Sequence, residues 1–165
     1  MAKPHDIAGL ECDMPFALAA ARTVAVRAQE VFGHADGVLD VQDIERVHDM
    51  RVATRRLRAV LEIFAPCFPR AEHKDVLRSV KLLADALGER RDPDVQLAAL
   101  ASFEQAAARA DAPGVEAFAV RLREEQASAN VALAAALAEA EASDLRGRVE
   151  RLVAAAEDAA GAPAA

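Results

Sequence analysis

Residues 47–64, VHDMRVATRRLRAVLEIF, carry basic and apolar side chains at the period of an α-helix, and this pattern constrains the fold more than any other. The basic side chains are His48, Arg51, Arg55 and Arg58. Intervals of three, four and three residues place them within about 80° of one another around a helix. The larger apolar side chains of the opposite arc are Met50, Leu57, Val60, Leu61 and Phe64. The segment therefore predicts a helix that buries one side and presents a row of cations on the other.

The composition favours helices in the rest of the chain as well. The 165 residues are 53% hydrophobic and include no Trp or Tyr. Much of the hydrophobic fraction is alanine, which is the strongest helix former, and runs of β-branched residues are few. A chain of this length suits one compact domain with its own core. We therefore expect an all-α fold without a β-sheet.

Glycine and proline mark the expected ends of the helices. The expected helices span residues 15–32, 41–65, 71–89, 92–110, 115–140 and 143–160. The third should end near Gly88 and Pro93, because proline cannot continue a helix, and Asp92 should cap the fourth. Asp40 or Asp43 can cap the second helix, and Ser143 can cap the last.

Short connections between these helices favour antiparallel neighbours. The expected architecture is an antiparallel up-and-down bundle of about five to six helices. Residues 1–14 have no periodicity and are expected to form a flexible lead-in. Residues 15–160 should form one domain, and residues 161–165 a disordered tail.

A second row of cations is expected on the third helix. Lys74, Arg78 and Lys81 lie within about 60° on a helix, away from its apolar side. Asp85 interrupts this row one turn later. If the second and third helices are neighbours, both rows line one groove, with Arg90 and Arg91 at one end. Like charges in a row repel each other, and a ligand with repeated negative charge is a physical reason to keep them together.

Charge is distributed unevenly along the chain. The whole chain has a net charge of -7, whereas residues 46–91 contain 11 basic and 6 acidic side chains, a net charge of +5. An acidic protein with one basic block can still bind an anion, because distant charges are screened beyond about 8 Å. The acidic remainder disfavours general adhesion to DNA or anionic membranes.

The remaining features bear on compartment and catalysis. Cys12 and Cys67 are far apart in the sequence and are interpreted as reduced thiols of a cytoplasmic protein, although a disulfide between them is an alternative. No apolar run is long enough for a membrane span, and no secretory signal is evident. His5, His34 and His73 stand alone, and neither a metal-ligand pattern nor a phosphate-binding glycine loop occurs. We expect no metal, no cofactor and no catalytic residue, and we interpret the chain as a binding protein.

Two motifs resemble a known family. VHDMRVATRRLRAVLEIF, followed by VKLLADALGERRDPDV, resembles the opening of a CHAD domain, the conserved histidine α-helical domain. The resemblance implies a helical fold that binds inorganic polyphosphate through basic side chains. The phosphate-facing residues that it implies are His48, Arg51, Arg55, Arg58, Lys81 and Arg91. Helical geometry alone adds Lys74 and Arg78, and the groove end adds Arg90, while Arg56 is a second-tier candidate.

Several alternatives remain open. Arg91 is either a phosphate ligand or a structural residue that pairs with Asp92, and the basic side chains of the third helix can instead pair with nearby acids. The same basic side chains suit an adaptor that docks an acidic protein or a storage granule. CHAD domains usually contain two related bundles, so two copies of this chain are expected to associate as a homodimer. No sequence-specific nucleic-acid partner is expected, because no aromatic side chain stands among the cations.

Overall fold

The computed structural model describes residues 3–161 and shows an all-α protein. The helices are α1 (Phe16–Gly33), α2 (Ile44–Ile63), a short 3-10 helix (Ala65–Cys67), α3 (Arg70–Glu104), α4 (Ala112–Ala142) and α5 (Leu145–Gly161). No strand occurs in this part of the chain, which confirms the predicted fold class. Helices α1 to α4 pack against one another in chain order, and α5 packs against α1.

The core lies where these helices meet. Each contributes an apolar stripe, as the sequence pattern requires: Val24 and Val31 of α1, Leu57 and Leu61 of α2, and Leu87 of α3 are all buried. Because α2 buries its apolar stripe against α1 and α3, its opposite side faces outward. The row of basic residues predicted on α2 therefore belongs to the outer side of the bundle.

Contacts at both ends show that α2 and α3 are antiparallel. Nε2 of the buried His73, near the start of α3, donates to the carbonyl oxygen of Leu61, near the end of α2, at 2.8 Å. At the other end, Nη1 of Arg91 donates to the carbonyl oxygen of Ile44 at 3.4 Å. The two helices thus lie side by side over the whole length of α2, as the short connection predicted.

The predicted caps are only partly correct. Asp43 precedes α2, but its carboxylate pairs with Arg46 at 2.9 Å and caps no backbone N–H. Ser143 ends α4 instead of starting α5. Asp144 provides the cap of α5, because its Oδ1 accepts from the backbone N–H of Gly147 at 3.1 Å.

The predicted break between residues 88 and 95 is wrong. Helix α3 continues from Arg70 to Glu104 through both Gly88 and Pro93, so the predicted third and fourth helices are one. Proline removes one backbone hydrogen bond and crowds the preceding turn. The buried Arg90 and Asp94, on either side of Pro93, bond to Asn130 and Gln126 of α4 and stabilise the helix at this point.

Helices α3 and α4 extend beyond the core as a two-helix arm, residues 88–132. With 35 residues α3 is about 50 Å long, whereas α2 with 20 residues is about 30 Å long. The main core ends at Leu87 on α3 and resumes at Leu133 on α4. The arm exposes several large apolar side chains, namely Val95, Phe103, Phe118, Val120 and Val131.

The described chain begins with a non-helical segment and ends in a helix. Residues 3–14 form no helix and lie along α1, where the backbone N–H of His5 donates to Glu30 and Arg27 donates to the carbonyl oxygen of His5. Gly161 is the last residue of α5. Residues 1–2 of the predicted lead-in and residues 162–165 of the predicted tail lie outside the described residues.

Two further observations concern the cysteines and membranes. Cys12 and Cys67 are both free thiols, and burial raises the pKa of Cys67. Within residues 3–161, no helix combines the length and the apolar character that crossing a membrane requires. The cytoplasmic location stays a prediction.

Candidate functional site

The predicted row of cations on α2 lies opposite its buried stripe. Arg55 is exposed, and His48, Arg51 and Arg58 are half-buried. The buried stripe of the same helix includes Met50, at 1% exposure. The side of α2 that carries the basic side chains is therefore the side that is accessible to solvent.

Most of this row has no counter-charge. Among residues 3–161, no side-chain hydrogen bond and no ion pair involves His48, Arg51 or Arg55. Arg51 and Arg55 are one helical turn apart, with about 5–6 Å between their Cβ atoms. Two guanidinium groups at this spacing repel each other, and an anion that binds both removes the repulsion.

The carboxylate of Glu62 joins the cations of α2 to those of α3. Its Oε1 accepts from Nε of Arg58 at 3.2 Å and lies 3.1 Å from Nζ of Lys81. These two cations hold the pKa of Glu62 below its usual value, Lys81 more strongly than Arg58. The contact places Arg58 of α2 and Lys81 of α3 at the same carboxylate on the surface.

The other basic residues of α3 are more exposed. Lys74 and Arg78 lie about two turns and one turn before Lys81, and both are exposed. Arg78 pairs with Asp75 at 3.2 Å, whereas Lys74 has no ion pair within the described part of the chain. We define the basic face as the group formed by His48, Arg51, Arg55, Arg58, Lys74, Arg78 and Lys81.

Arg90 does not lie with this group. Its side chain is fully buried, so a chain of phosphates on the surface cannot reach it, and the predicted ligand role is wrong. Nη1 of Arg90 donates to Asp94 and Nε donates to Asn130 at 3.0 Å, while Gln126 donates to Asp94 at 2.6 Å. Asn130 in turn donates to the carbonyl oxygen of Leu39, before α2. This network, centred on the buried Arg90 and Asp94, ties α3 to α4 and to the connection between α1 and α2.

Arg91 and Arg56, two further predicted phosphate ligands, both interact with other residues of the chain. Only 15% of the Arg91 side chain is exposed, and it lies 3.9 Å from both Glu45 and Asp94. It therefore joins α3 to the start of α2, which matches the structural alternative, although the partner is not Asp92. Arg56 is half-buried and interacts with other residues of the chain.

His73, which stands alone in the sequence, has a packing role in the fold. His73 is buried, donates to the backbone of α2 and stacks on Phe68 with 5.8 Å between ring centroids. Within residues 3–161, no group of three or more His, Cys, Asp or Glu side chains is placed to hold a metal ion. The chemistry available on the basic face is multivalent attraction of anions.

Sequence reasoning missed two parts of this arrangement. The i,i+4 spacing of Arg58 and Glu62 was readable from the sequence, but the second partner, Lys81, depends on how α2 and α3 pack. The polar network around Arg90 was missed because its members Gln126 and Asn130 are more than 30 residues away in the chain.

Comparison with known proteins gives one match. The family model for the CHAD domain matches residues 22–165, which is nearly the whole chain. No curated protein and no solved structure matches it. The matched region contains α2 and α3, and therefore every residue of the basic face. With its two sequence motifs, its helical fold and this match, the chain belongs to the CHAD domain family.

Proposed function

We propose that the basic face binds inorganic polyphosphate, or a similar linear polyanion, without catalysing a reaction on it. The observation that carries the proposal is the group of cations from α2 and α3 on one surface, in which Arg51 and Arg55 have no counter-charge among residues 3–161. CHAD domains are associated with polyphosphate binding, which supports the choice of ligand.

The binding mode follows from the side chains. An arginine fork donates to two phosphate oxygens at once, and the three- and four-residue intervals on α2 let successive cations follow a flexible chain. Lys81 and Lys74 act as compact charges beside that row. Recognition depends on repeated charge, so affinity falls steeply with salt. With about five phosphate contacts, each releasing roughly 0.7 counterions from the polyanion, the affinity should fall about a hundredfold between 50 and 200 mM salt.

The first test is equilibrium titration with long-chain polyphosphate. The variant R51E/R55E/R58E should lose binding by at least about a hundredfold, because it converts three attractive contacts into repulsive ones. Its far-UV circular dichroism should match the unmodified chain, because these side chains are not in the core. Unchanged affinity in this variant contradicts the proposed site.

A matched control separates the site from net charge. R109E/R121E/R123E makes the same change in net charge at three exposed positions of the arm. It should bind polyphosphate within about threefold of the unmodified chain, because distant charges are screened. Double-stranded DNA and poly-L-glutamate, titrated in parallel, test the alternative of an acidic-protein adaptor. Tighter binding of poly-L-glutamate than of polyphosphate favours the adaptor.

Catalysis has a separate test. The CHAD family is not one of the established enzyme families, and the proposed role is binding alone. Incubation with polyphosphate and Mg²⁺ or Mn²⁺ should release no orthophosphate above the background without protein. Metal-dependent release that disappears in R51E/R55E/R58E contradicts this part of the proposal.

We also propose that two copies of the chain associate through the arm. The support is the set of large apolar side chains exposed there, of which Phe103 and Phe118 are the bulkiest. Light scattering at micromolar concentration should give the mass of a dimer, and F103S/F118S should give a monomer. A monomer in the unmodified chain at these concentrations contradicts the proposal.

A further inference from the structure

Glu62 is the carboxylate that joins the two basic rows of the basic face. Its Oε1 is shared between Arg58, at 3.2 Å, and Lys81, at 3.1 Å. The three side chains are comparably accessible, at 43%, 42% and 41% exposure. A carboxylate oxygen that accepts from a guanidinium and an ammonium group occupies the position that a phosphate oxygen takes in a bound polyanion.

The contact is built to be reversible. Ion pairs at this level of exposure contribute little stability, because water solvates the separated groups nearly as well. Glu62 lies one turn after Arg58 near the end of α2, so only its side chain has to rotate for both cations to be released. The carboxylate of Glu62 is ionised at neutral pH, and its two cations favour that form further by lowering its pKa.

We propose that Glu62 is a built-in competitor that occupies Arg58 and Lys81 in the free protein and is displaced by the phosphate chain. The inference rests on the proposed function and adds regulation of the same site. Arg51 and Arg55, which have no counter-charge among residues 3–161, make the first contact. Arg58 and Lys81 become available only when phosphate groups further along the chain exchange with the carboxylate. Glu62 thereby reduces binding at this end of the face.

The test compares polyphosphate affinity in a charge-neutral variant and a matched control. E62Q removes the charge with little change in size and should bind long-chain polyphosphate about two- to fivefold more tightly. E125Q is the control, because Glu125 accepts from Nε of Arg121 at 3.0 Å with the same i,i+4 spacing. Glu125 is far from the basic face. The residue next to it, Gln126, contacts Asp94, and Asp94 lies 13 residues, or about 20 Å, further along α3 than Lys81. E125Q should leave affinity unchanged.

A double-variant background distinguishes competition from general repulsion. If Glu62 acts by holding Arg58 and Lys81, the gain from E62Q should disappear in R58Q/K81Q, where no cation remains to be released. An equal gain in both backgrounds means that Glu62 repels the polyanion through space, which overturns the inference. Affinity in E62Q equal to that of the unmodified chain also overturns it.

These outcomes are separable from failure of the proposed function. If the unmodified chain binds polyphosphate and R51E/R55E/R58E does not, the site stands whatever E62Q shows. If neither the unmodified chain nor E62Q binds, both proposals fail. Binding by E62Q alone supports strong competition.

A second measurement is independent of affinity. Carboxyl NMR should show the pKa of Glu62 rising when polyphosphate is added, because its two cations then contact phosphate. An unchanged pKa in the complex overturns the inference.

Discussion

The outer side of α2 and the junction of α3 with α4 each contain arginines, but in opposite surroundings. Arg55 is exposed and has no ion pair among residues 3–161. Arg90 is fully buried and bonded to Asp94 and Asn130. In water an unpaired guanidinium is well solvated, whereas inside the protein it needs a counter-charge and hydrogen-bond acceptors. The comparison shows that the first arginine remains available to a ligand, while the second is committed to the fold.

The largest expected effect tests the buried arginine. Asp94→Ala should lower the free energy of unfolding by about 3–5 kcal/mol, because it leaves the charge of Arg90 buried without its partner. Urea unfolding followed by circular dichroism measures the change. The control is the exposed neighbour, Asp92→Ala, which should change stability by about 0.5 kcal/mol or less. A loss below 1 kcal/mol in Asp94→Ala, as a rough threshold, means that Arg90 reaches water in solution.

Glu30, a buried carboxylate on α1, tests the difference between buried and exposed charges through the pH dependence of stability. Burial favours the neutral form of Glu30, but the backbone N–H of His5 and the guanidinium of Arg27 outweigh it and lower the pKa. A carboxylate with a lowered folded-state pKa stabilises the protein above its ordinary pKa, and this contribution is lost as the pH falls through the lowered value. Glu30→Gln should cost about 1–3 kcal/mol at pH 7.

Unfolding measurements across the acid range check this prediction. The stability difference between the unmodified chain and Glu30→Gln should narrow as the pH falls below the ordinary glutamate pKa. A difference that is constant with pH means that the loss comes from packing and not from the charge. Glu62, whose pKa is also lowered, is exposed, so Glu62→Gln should show a much smaller change with pH.

The third prediction concerns an arginine of the basic face alone. Arg55→Gln should change stability by about 0.5 kcal/mol or less. It should weaken polyphosphate binding about three- to tenfold and reduce the slope of affinity against salt by roughly one. Calorimetric titration at three salt concentrations gives both quantities. The matched control is Arg121→Gln on α4, an exposed position outside the basic face. The prediction fails if both variants lose affinity equally.

The smallest expected effect separates two residues of α3. Arg78 pairs with Asp75, whereas Lys74 has no ion pair in the described chain. Lys74→Gln should weaken polyphosphate binding about twofold, and Arg78→Gln by less, because part of the charge of Arg78 is already compensated. The same titration measures both variants. A larger loss from Arg78→Gln shows that phosphate displaces Asp75.

The sequence predicted the elements that depend on local periodicity. The second helix was expected over residues 41–65 and is Ile44–Ile63, and the side of it that carries the cations was predicted correctly. Both follow from the 3.6-residue period and the buried apolar stripe. The contact of Lys81 with Glu62 was not predicted, because it depends on how the two consecutive helices pack.

The sequence did not reveal the buried network, and one local assumption explains why. Gly88 and Pro93 predict a helix break, and a break there puts Arg90 at one end of a groove. If α3 is treated as one continuous helix with Lys74 at 0°, Arg90 lies at about 160° and Asp94 at about 200° around its axis. Both positions are on or beside the apolar side of the helix. Continuity depends on contacts with Gln126 and Asn130, which are distant in the sequence. Local helix signals cannot contain that information.

The unbroken course of α3 has a mechanical consequence. The same helix contains Lys81 of the basic face and, past Pro93, the first half of the arm. The contacts of α3 with α4 on both sides of Pro93 oppose bending at the proline, which is where helices most often kink. If the proposals on the basic face and the arm both hold, a second copy that contacts the arm about 20 residues beyond Lys81 lies about 30 Å along α3 from the bound anion.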